Sequence, residues 1–180
     1  MTYVNYSETP AQSPFKAFFC LSAFISMFLM PMGAKAAANA RLQIPEIGVD
    51  VPIKDMGLTP DGAMAVPGNR VEVGWYSLGT RPGQTGSAVI GAHSRWASKP
   101  GIFAHLDQLR KGDTLSVIDA NGTTILFVVR DIRTYDATDT ETGIFQSQSG
   151  IHLNLITCSG AWEPSMKTYA TRLVIFTDAV

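Results

Sequence analysis

After Arg41, apolar and polar positions alternate in short runs that Gly and Pro separate. Alternation with a period of two is typical of β-strands that bury one face. Asn121-Gly122 lies between two such runs and predicts a tight hairpin. The runs that predict strands are residues 41–53 (as two pieces), 71–76, 87–93, 114–119, 123–133, 151–157 and 172–177. The pattern predicts a mostly β domain of about eight strands, either a small barrel or a sandwich.

Beyond the first forty residues, the best helix candidate is the segment 101–109, whose spacing of apolar residues predicts a helix of about two turns. The residues that recur at this spacing are Ile102, His105, Leu106 and Leu109, and Lys111-Gly112 supply a stop. Residues 135–150 and 159–170 are polar and predict two long loops. Loops of such length are uncommon as mere connectors, so we expect the first to be functional.

The first forty residues follow a different pattern. Lys16 precedes an apolar run over residues 17–32, and Ala34-Lys35-Ala36 follows as a small-x-small site. This order is typical of a secretory signal, and the run is near the lower length limit of a membrane span. Residues 1–40 therefore predict a cleaved signal peptide or an uncleaved membrane anchor, with a buried helix as the third interpretation. We expect residues 41–180 to form an extracytoplasmic domain.

Charge and cysteine content narrow the function classes. The formal net charge is -1 and no basic block stands out beyond Arg41, which argues against a nucleic-acid partner. The two cysteines are Cys20, inside the export segment, and Cys158. In an exported domain that begins near Arg41, Cys158 has no disulfide partner within the chain, and an unpaired cysteine in that setting suggests a reactive thiol.

A nucleophilic thiol needs a nearby imidazolium or cation to become a thiolate. His93 ends an apolar strand and precedes a loop, as Cys158 does. If the strand that Arg172 begins pairs with the strand ending at Cys158, its guanidinium reaches the thiol and can hold an oxyanion. Taken one at a time, an inert buried thiol, a structural histidine and a solvated arginine explain these residues as well.

Taken together, the motifs resemble those of the sortase family, especially its class F-like single-domain members. The segments that carry the resemblance are Leu155-Ile-Thr-Cys158, Gly91-Ala-His93, residues 102–113, Arg172-Leu-Val-Ile-Phe176, residues 41–49 and Gly74-Trp-Tyr76. Three features depart from the family pattern: Asn154 replaces a Thr, Ala92 replaces a Gly, and Ser94-Arg95-Trp96 is an unusual sequel to the histidine. The last two bear on substrate preference.

The resemblance implies a closed eight-stranded β-barrel with one or two short helices and a cysteine transpeptidase. Cys158 would cleave a sorting motif resembling Leu-Pro-x-Thr-Gly through a thioacyl intermediate, with His93 as acid and base and Arg172 at the oxyanion. The acceptor would be an amine, on cell-wall peptide or a pilin lysine, and the donors surface proteins that bear the motif. Neither metal nor cofactor is predicted. The residues expected to touch substrate are Thr157, Ile144, Phe145 and Trp96.

Three alternatives accompany this interpretation. An exported cysteine hydrolase would pass the same intermediate to water, and sequence does not separate it from a transpeptidase. The L,D-transpeptidases are disfavoured because their His and Cys lie close together late in the chain. An inactive β-barrel binding module is disfavoured because Cys158, His93 and Arg172 are all present.

Overall fold

The computed structural model describes residues 40–139, 142–147 and 149–180. The predicted signal or anchor therefore lies outside the described residues, apart from its last position. Within the described part of the chain, no helix is long and apolar enough to cross a membrane.

Alternating apolar residues form strands along most of the described chain. The strands are β1 Arg41–Ile44, β2 Val49–Met56, β3 Val73–Tyr76, β4 Gly86–Gly91, β5 Arg95–Trp96, β6 Lys99–Pro100, β7 Thr114–Ile118, β8 Thr124–Asp136, β9 Ile151–Glu163 and β10 Thr168–Ala179. Short 3-10 helices cover Pro45–Ile47, Leu106–Gln108 and Thr142–Ile144.

Eight strands close into one barrel in the order β1-β2-β3-β4-β9-β10-β8-β7, and β5 and β6 form a separate two-stranded hairpin. The β2–β3 and β4–β9 pairs are parallel, and the other barrel pairs are antiparallel. A barrel leaves no open sheet edge, because its first and last strands pair with each other. The predicted mostly β barrel is confirmed, and the sandwich is excluded.

The barrel has an inner core and a second apolar cluster on its outer face. Successive strand residues point to opposite faces, so Leu153 and Leu155 of β9 enter the inner core while Asn154 and Ile156 face outward. The side chains that form the outer cluster's buried centre are Val89, Ile144, Val174 and Phe176. This outer cluster underlies the candidate site.

The helix predicted over residues 101–109 exists only as turns and the 3-10 helix Leu106–Gln108. Phe103, Leu106 and Leu109 are all fully buried. Their spacing of three residues matches the three residues per turn of a 3-10 helix, in which side chains at i and i+3 line up. The prediction of helical structure was correct, but the helix is a 3-10 helix, whose repeat is shorter than that of an α-helix.

The prediction of a loop over residues 159–170 was wrong. Strand β9 continues past Cys158 to Glu163, and β10 begins at Thr168, so the two strands form a long hairpin. Trp162 pairs with Tyr169 across this hairpin, and their rings meet edge to face at 5.3 Å. Cross-strand aromatic pairs stabilise such extensions. The register shift between Tyr169 and Thr171 interrupts the alternation that the sequence would otherwise display.

Candidate active site

Cys158 and Arg172 lie directly opposite each other on the neighbouring strands β9 and β10. Cys158 follows Asn154 and Ile156 at two-residue steps, and Arg172 precedes Val174 and Phe176 in the same way. Both side chains therefore belong to the outer face of the barrel. Directly opposed residues have Cβ atoms about 5 Å apart. The strand pairing on which the predicted thiol–guanidinium pair depends is present.

The Arg172 guanidinium is held by the start of its own strand. Nη1 donates to the carbonyl oxygens of Tyr169 and Thr171 at 2.9 and 3.0 Å, and Nη2 donates to Thr168 Oγ1 at 2.9 Å. A guanidinium has five N–H donors. Among the described residues, Arg172 has no ion-pair partner, so its charge and two of its donors remain available to a ligand.

His93 lies two residues beyond the end of β4, half-buried. Its Nε2 is 2.9 Å from the carbonyl oxygen of Pro67. A carbonyl oxygen can only accept a hydrogen bond, so Nε2 carries the hydrogen. In the neutral ring Nδ1 then holds the lone pair, which makes Nδ1 the atom that can take up or release a proton.

The loop that supplies the Pro67 carbonyl is anchored by a carboxylate. Glu72 forms an ion pair with Lys54 of β2 at 2.6 Å and accepts a hydrogen bond from Asn69 Nδ2 at 2.6 Å. The bond from Lys54 first, and then that from Asn69, lowers the pKa of Glu72 below its ordinary value. Glu72 therefore stays ionised throughout the neutral range, and the loop keeps its anchor there.

His93, Cys158 and Arg172 all line one open cleft of about 1150 Å³. Its apolar walls come from Ile144 of the outer cluster and from the partly buried side chains that pack against that cluster, which are Met64, Tyr76, Tyr135, Phe145 and Ile156. Ligand sites in proteins commonly have volumes of this order and combine apolar walls with a few polar groups. Among the described residues, no group of three or more His, Cys, Asp or Glu side chains is placed to hold a metal ion.

The structure brings three of the four predicted substrate contacts to this cleft. Thr157, Ile144 and Phe145 line it, whereas Trp96 lies outside its lining. Trp96 instead packs on His93, with ring centroids 4.7 Å apart. The Thr157 hydroxyl donates its hydrogen to the Ala92 carbonyl at 2.8 Å, so it ties β9 to the residue that follows β4, and only its lone pairs remain available to a substrate.

Two positioning residues were missed by the sequence analysis. Ser94 Oγ donates to the Cys158 carbonyl at 2.7 Å and so ties the histidine loop to the cysteine strand. Gly101 packs against the His93 backbone: its N–H donates to the Ser94 carbonyl at 2.8 Å, and the neighbouring Phe103 N–H donates to the His93 carbonyl at 3.1 Å. Ser94 and Gly101 both contact backbone atoms, and every residue has the same backbone, so the sequence gives no sign of these contacts.

Gly101→Ala is expected to displace His93. An added Cβ would clash with the His93 carbonyl oxygen and lie 2.7 Å from its carbonyl carbon, so the backbone itself must shift. A misplacement of about 1 Å at a reacting group can cost about a hundredfold in rate. We expect kcat on a cleaved peptide to fall by about that factor.

Gly57→Ala is the matched control, because an added Cβ there meets nothing within 4 Å. Thermal unfolding followed by circular dichroism checks that both variants are folded. Unchanged kcat in folded Gly101→Ala would contradict the role given to this contact.

Asn154 fixes the position of Ile144 in the wall of the cleft by a hydrogen bond to its carbonyl. It is 1% exposed, and its Nδ2 donates to the Ile144 carbonyl at 2.6 Å. Phe145, the next residue, meets the Tyr76 ring edge to face at 5.6 Å. The Asn154 Oδ1 is buried without a hydrogen-bond partner among the described residues. The side chain thus positions two of the predicted substrate contacts through one donated hydrogen bond.

Asn154→Asp is expected to raise the KM for the peptide about tenfold with little change in kcat. The change keeps the size of the side chain but replaces the donor by an acceptor, which leaves the Ile144 carbonyl unpaired; such a loss costs about 1–3 kcal/mol. Steady-state kinetics separates KM from kcat. Asn121→Asp makes the same chemical change on the exposed β7–β8 turn and should leave KM alone. A KM equal to that of the control would remove Asn154 from this role.

Comparison with known proteins adds the family context. The family model described as "Sortase domain" matches residues 42–180. Similar solved structures include sortase C1 of Streptococcus agalactiae (24% identity, 78% of this chain and 66% of that one, TM-score 0.60) and sortase A of Corynebacterium diphtheriae (22%, 79% and 60%, TM-score 0.60). Sortase C-1 of Actinomyces oris also matches (24%, 78% and 73%, TM-score 0.59).

These likenesses differ in what they support. At 22–24% identity, the solved structures show the fold alone. The chain spans just under two thirds of the length of the Streptococcus agalactiae protein and 60% of the Corynebacterium diphtheriae protein. A comparison with curated proteins found no match.

Proposed function

Because the chain belongs to the sortase family, we propose that it is a cysteine transpeptidase that cleaves a sorting motif and joins the cleaved protein to an amine. The motif proposed is one resembling Leu-Pro-x-Thr-Gly. The observation that carries the proposal is the convergence of Cys158, His93 and Arg172 on one cleft, with Cys158 and Arg172 directly paired across β9 and β10.

In the first step the Cys158 thiolate attacks the carbonyl carbon of the motif threonine. A sulfur–carbon bond forms, the peptide bond to the next residue breaks, and the leaving amine takes a proton from the His93 imidazolium. Nε2 keeps its hydrogen, which it donates to the Pro67 carbonyl throughout, so the proton that moves is the one on Nδ1. Arg172 offers its unpartnered N–H groups to the negative charge that develops on the carbonyl oxygen.

In the second step an amine attacks the thioester. A carbon–nitrogen bond forms, the carbon–sulfur bond breaks, and the amine gives a proton to neutral His93. Cys158 returns to the thiolate and His93 to the imidazolium. The same two groups thus serve both steps in opposite protonation roles, as microscopic reversibility requires of an acid–base pair.

The apolar wall of the cleft fits the apolar part of such a motif. Ile144 is 5% exposed and Phe145 is half-buried, and both lie on the segment that Asn154 fixes. Because Asn154 already fixes this wall, the wall itself loses little conformational entropy when a peptide binds to it. We assign the Leu-Pro pair of the motif to this wall.

The partners proposed are surface proteins that bear the motif and an amine acceptor, on cell-wall peptide or a pilin lysine. We propose an extracytoplasmic location, with residues 1–40 as the export signal or membrane anchor. The basis is the sequence pattern of that segment together with the family, and the class F-like assignment within the family stays a prediction.

Incubation of the protein with a library of Leu-Pro-x-Thr-Gly peptides and triglycine tests the reaction. Mass spectrometry should find a product in which the peptide, cut after threonine, is joined to triglycine. Cleavage without ligation, for every amine tried, would replace the transpeptidase by a hydrolase. The absence of both products would favour a binding module.

A further inference from the structure

Trp96 packs against one side of the His93 ring. The centroids of the two rings are 4.7 Å apart and their planes are inclined by 48°, a distance at which aromatic rings attract each other. The indole is 40% exposed and belongs to neither apolar cluster of the barrel. Among the described residues, the His93 imidazole is the one ring that it contacts. Burial in the core therefore does not account for the position of Trp96.

The backbone that carries Trp96 returns to the histidine. Trp96 pairs with Lys99 across the hairpin β5–β6. Beyond that hairpin, the Phe103 N–H donates to the His93 carbonyl at 3.1 Å. Phe103 is 1% exposed and packs in the inner core. Residues 93–103 thus form a loop that is closed on His93 and fixed in the core at its far end.

The turn of this hairpin has an uncommon backbone conformation. Ala97 and Ser98 have φ of 47° and 65°, in the left-handed region that residues other than glycine seldom adopt. A tight two-residue turn of type I′ needs this conformation at both positions. Such conformations cost free energy, persist where the surrounding structure enforces them, and are found most often at functional sites. In this hairpin the turn determines where the Trp96 ring lies.

We infer that Trp96 is a positioning residue, which keeps the His93 imidazole in the orientation that the reaction needs. The inference rests on the proposed function, since it concerns the acid–base group of that reaction. One edge of the imidazole is already fixed, because Nε2 donates to the Pro67 carbonyl at 2.9 Å. The ring can still swing about a single hydrogen bond, and the indole beside it restricts that motion. Nδ1 then keeps the position from which it exchanges a proton with the substrate.

This role differs from the substrate contact that the sequence predicts for Trp96. The indole does not line the cleft that His93, Cys158 and Arg172 share. Trp96→Leu should lower kcat for a sorting peptide about tenfold, the factor that corresponds to the loss of one aromatic pair. KM should stay within about twofold of the unmodified value, because no binding contact is lost. Trp96→Phe retains a ring and should recover most of the lost kcat.

Trp162→Leu is the matched control. Trp162 is also exposed on a hairpin, meets the Tyr169 ring at 5.3 Å and lies outside the cleft lining. This variant should keep the unmodified kcat, and circular dichroism checks that each variant is folded. A raised KM with unchanged kcat in Trp96→Leu would overturn the inference and make Trp96 a substrate contact.

A resonance of the His93 ring tests the inference without the reaction. In protein labelled with ¹⁵N at histidine, the hydrogen that Nε2 donates to Pro67 should exchange slowly with water and give a visible resonance, assigned by its loss in His93→Gln. Faster exchange should remove this resonance in Trp96→Leu, whereas Trp96→Phe and Trp162→Leu should retain it. A resonance that persists in folded Trp96→Leu would overturn the inference. If the unmodified protein cleaves no peptide while the resonance depends on Trp96, the proposed reaction is refuted and the positioning of His93 stands.

Discussion

Cys158→Ala is expected to abolish cleavage of the sorting peptide. The sulfur is the proposed nucleophile, and no other residue that lines the large cleft offers a thiol. Removal of a nucleophile that acts together with a base costs about 10³-fold or more in kcat. Cys158→Ser should fall as low, because a hydroxyl in that position is far less nucleophilic than a thiolate. The assay is the rate of peptide cleavage followed by chromatography.

Cys20→Ser provides the control for this prediction, since Cys20 and Cys158 are the protein's two cysteines. This variant should cleave the peptide at the unmodified rate. The Cys158 variants should unfold at nearly the same temperature as the unmodified protein, because the side chain is only half-buried and small. Substantial cleavage by folded Cys158→Ala would place the nucleophile elsewhere.

Arg172→Gln is expected to lower kcat/KM for the peptide about 10²- to 10³-fold. That is the usual cost of removing one donor to a developing oxyanion. Arg172→Lys should recover little of the loss. The guanidinium is held by Thr168, Tyr169 and Thr171 while keeping two N–H groups free, and a single ammonium cannot reproduce both its anchoring and its direction.

Arg41→Gln is the matched control for Arg172. Its guanidinium forms an exposed ion pair with Asp50 at 2.7 Å on the first strand pair, and exposed pairs contribute about 1 kcal/mol or less. Its kcat/KM should stay within about twofold of the unmodified value. If Arg172→Gln behaves like this control, the guanidinium has no part in the reaction, and its contacts to β10 are structural only.

The barrel strands were predictable where burial follows a strict alternation. Leu153 and Leu155 enter the core while Asn154 and Ile156 do not, so the sequence displays the period of the strand. The alternation alone does not predict that the strands close into a barrel. It depends on which strands pair, and the sequence analysis obtained it from the family resemblance.

The extension of the β9–β10 hairpin was not predictable in the same way. Gly160 adopts φ of +77°, and the register shifts between Tyr169 and Thr171. Each irregularity breaks the alternation by which a strand is recognised. Stabilisation instead comes from the Trp162–Tyr169 ring contact, between residues whose pairing becomes apparent only after the hairpin has formed.

In the candidate site too, some residues were named from the sequence and others were missed. The set of Cys158, His93 and Arg172 was obtained from the family resemblance, because each of the three residues taken alone has an ordinary structural explanation. The Pro67 carbonyl, which orients His93, was not predictable, since every residue has a carbonyl. Ser94 and Gly101 were missed for the same reason, because their partners are backbone atoms of Cys158 and His93.

The most direct test of the central claim is the mass of the intact protein after mixing with a Leu-Pro-x-Thr-Gly peptide in the absence of an amine. The account predicts an added mass equal to the peptide up to its threonine, located by fragmentation at Cys158 and released on addition of triglycine as the ligated peptide. An adduct on any other residue, or peptide cleavage with no adduct at Cys158 even under rapid quenching, would contradict it.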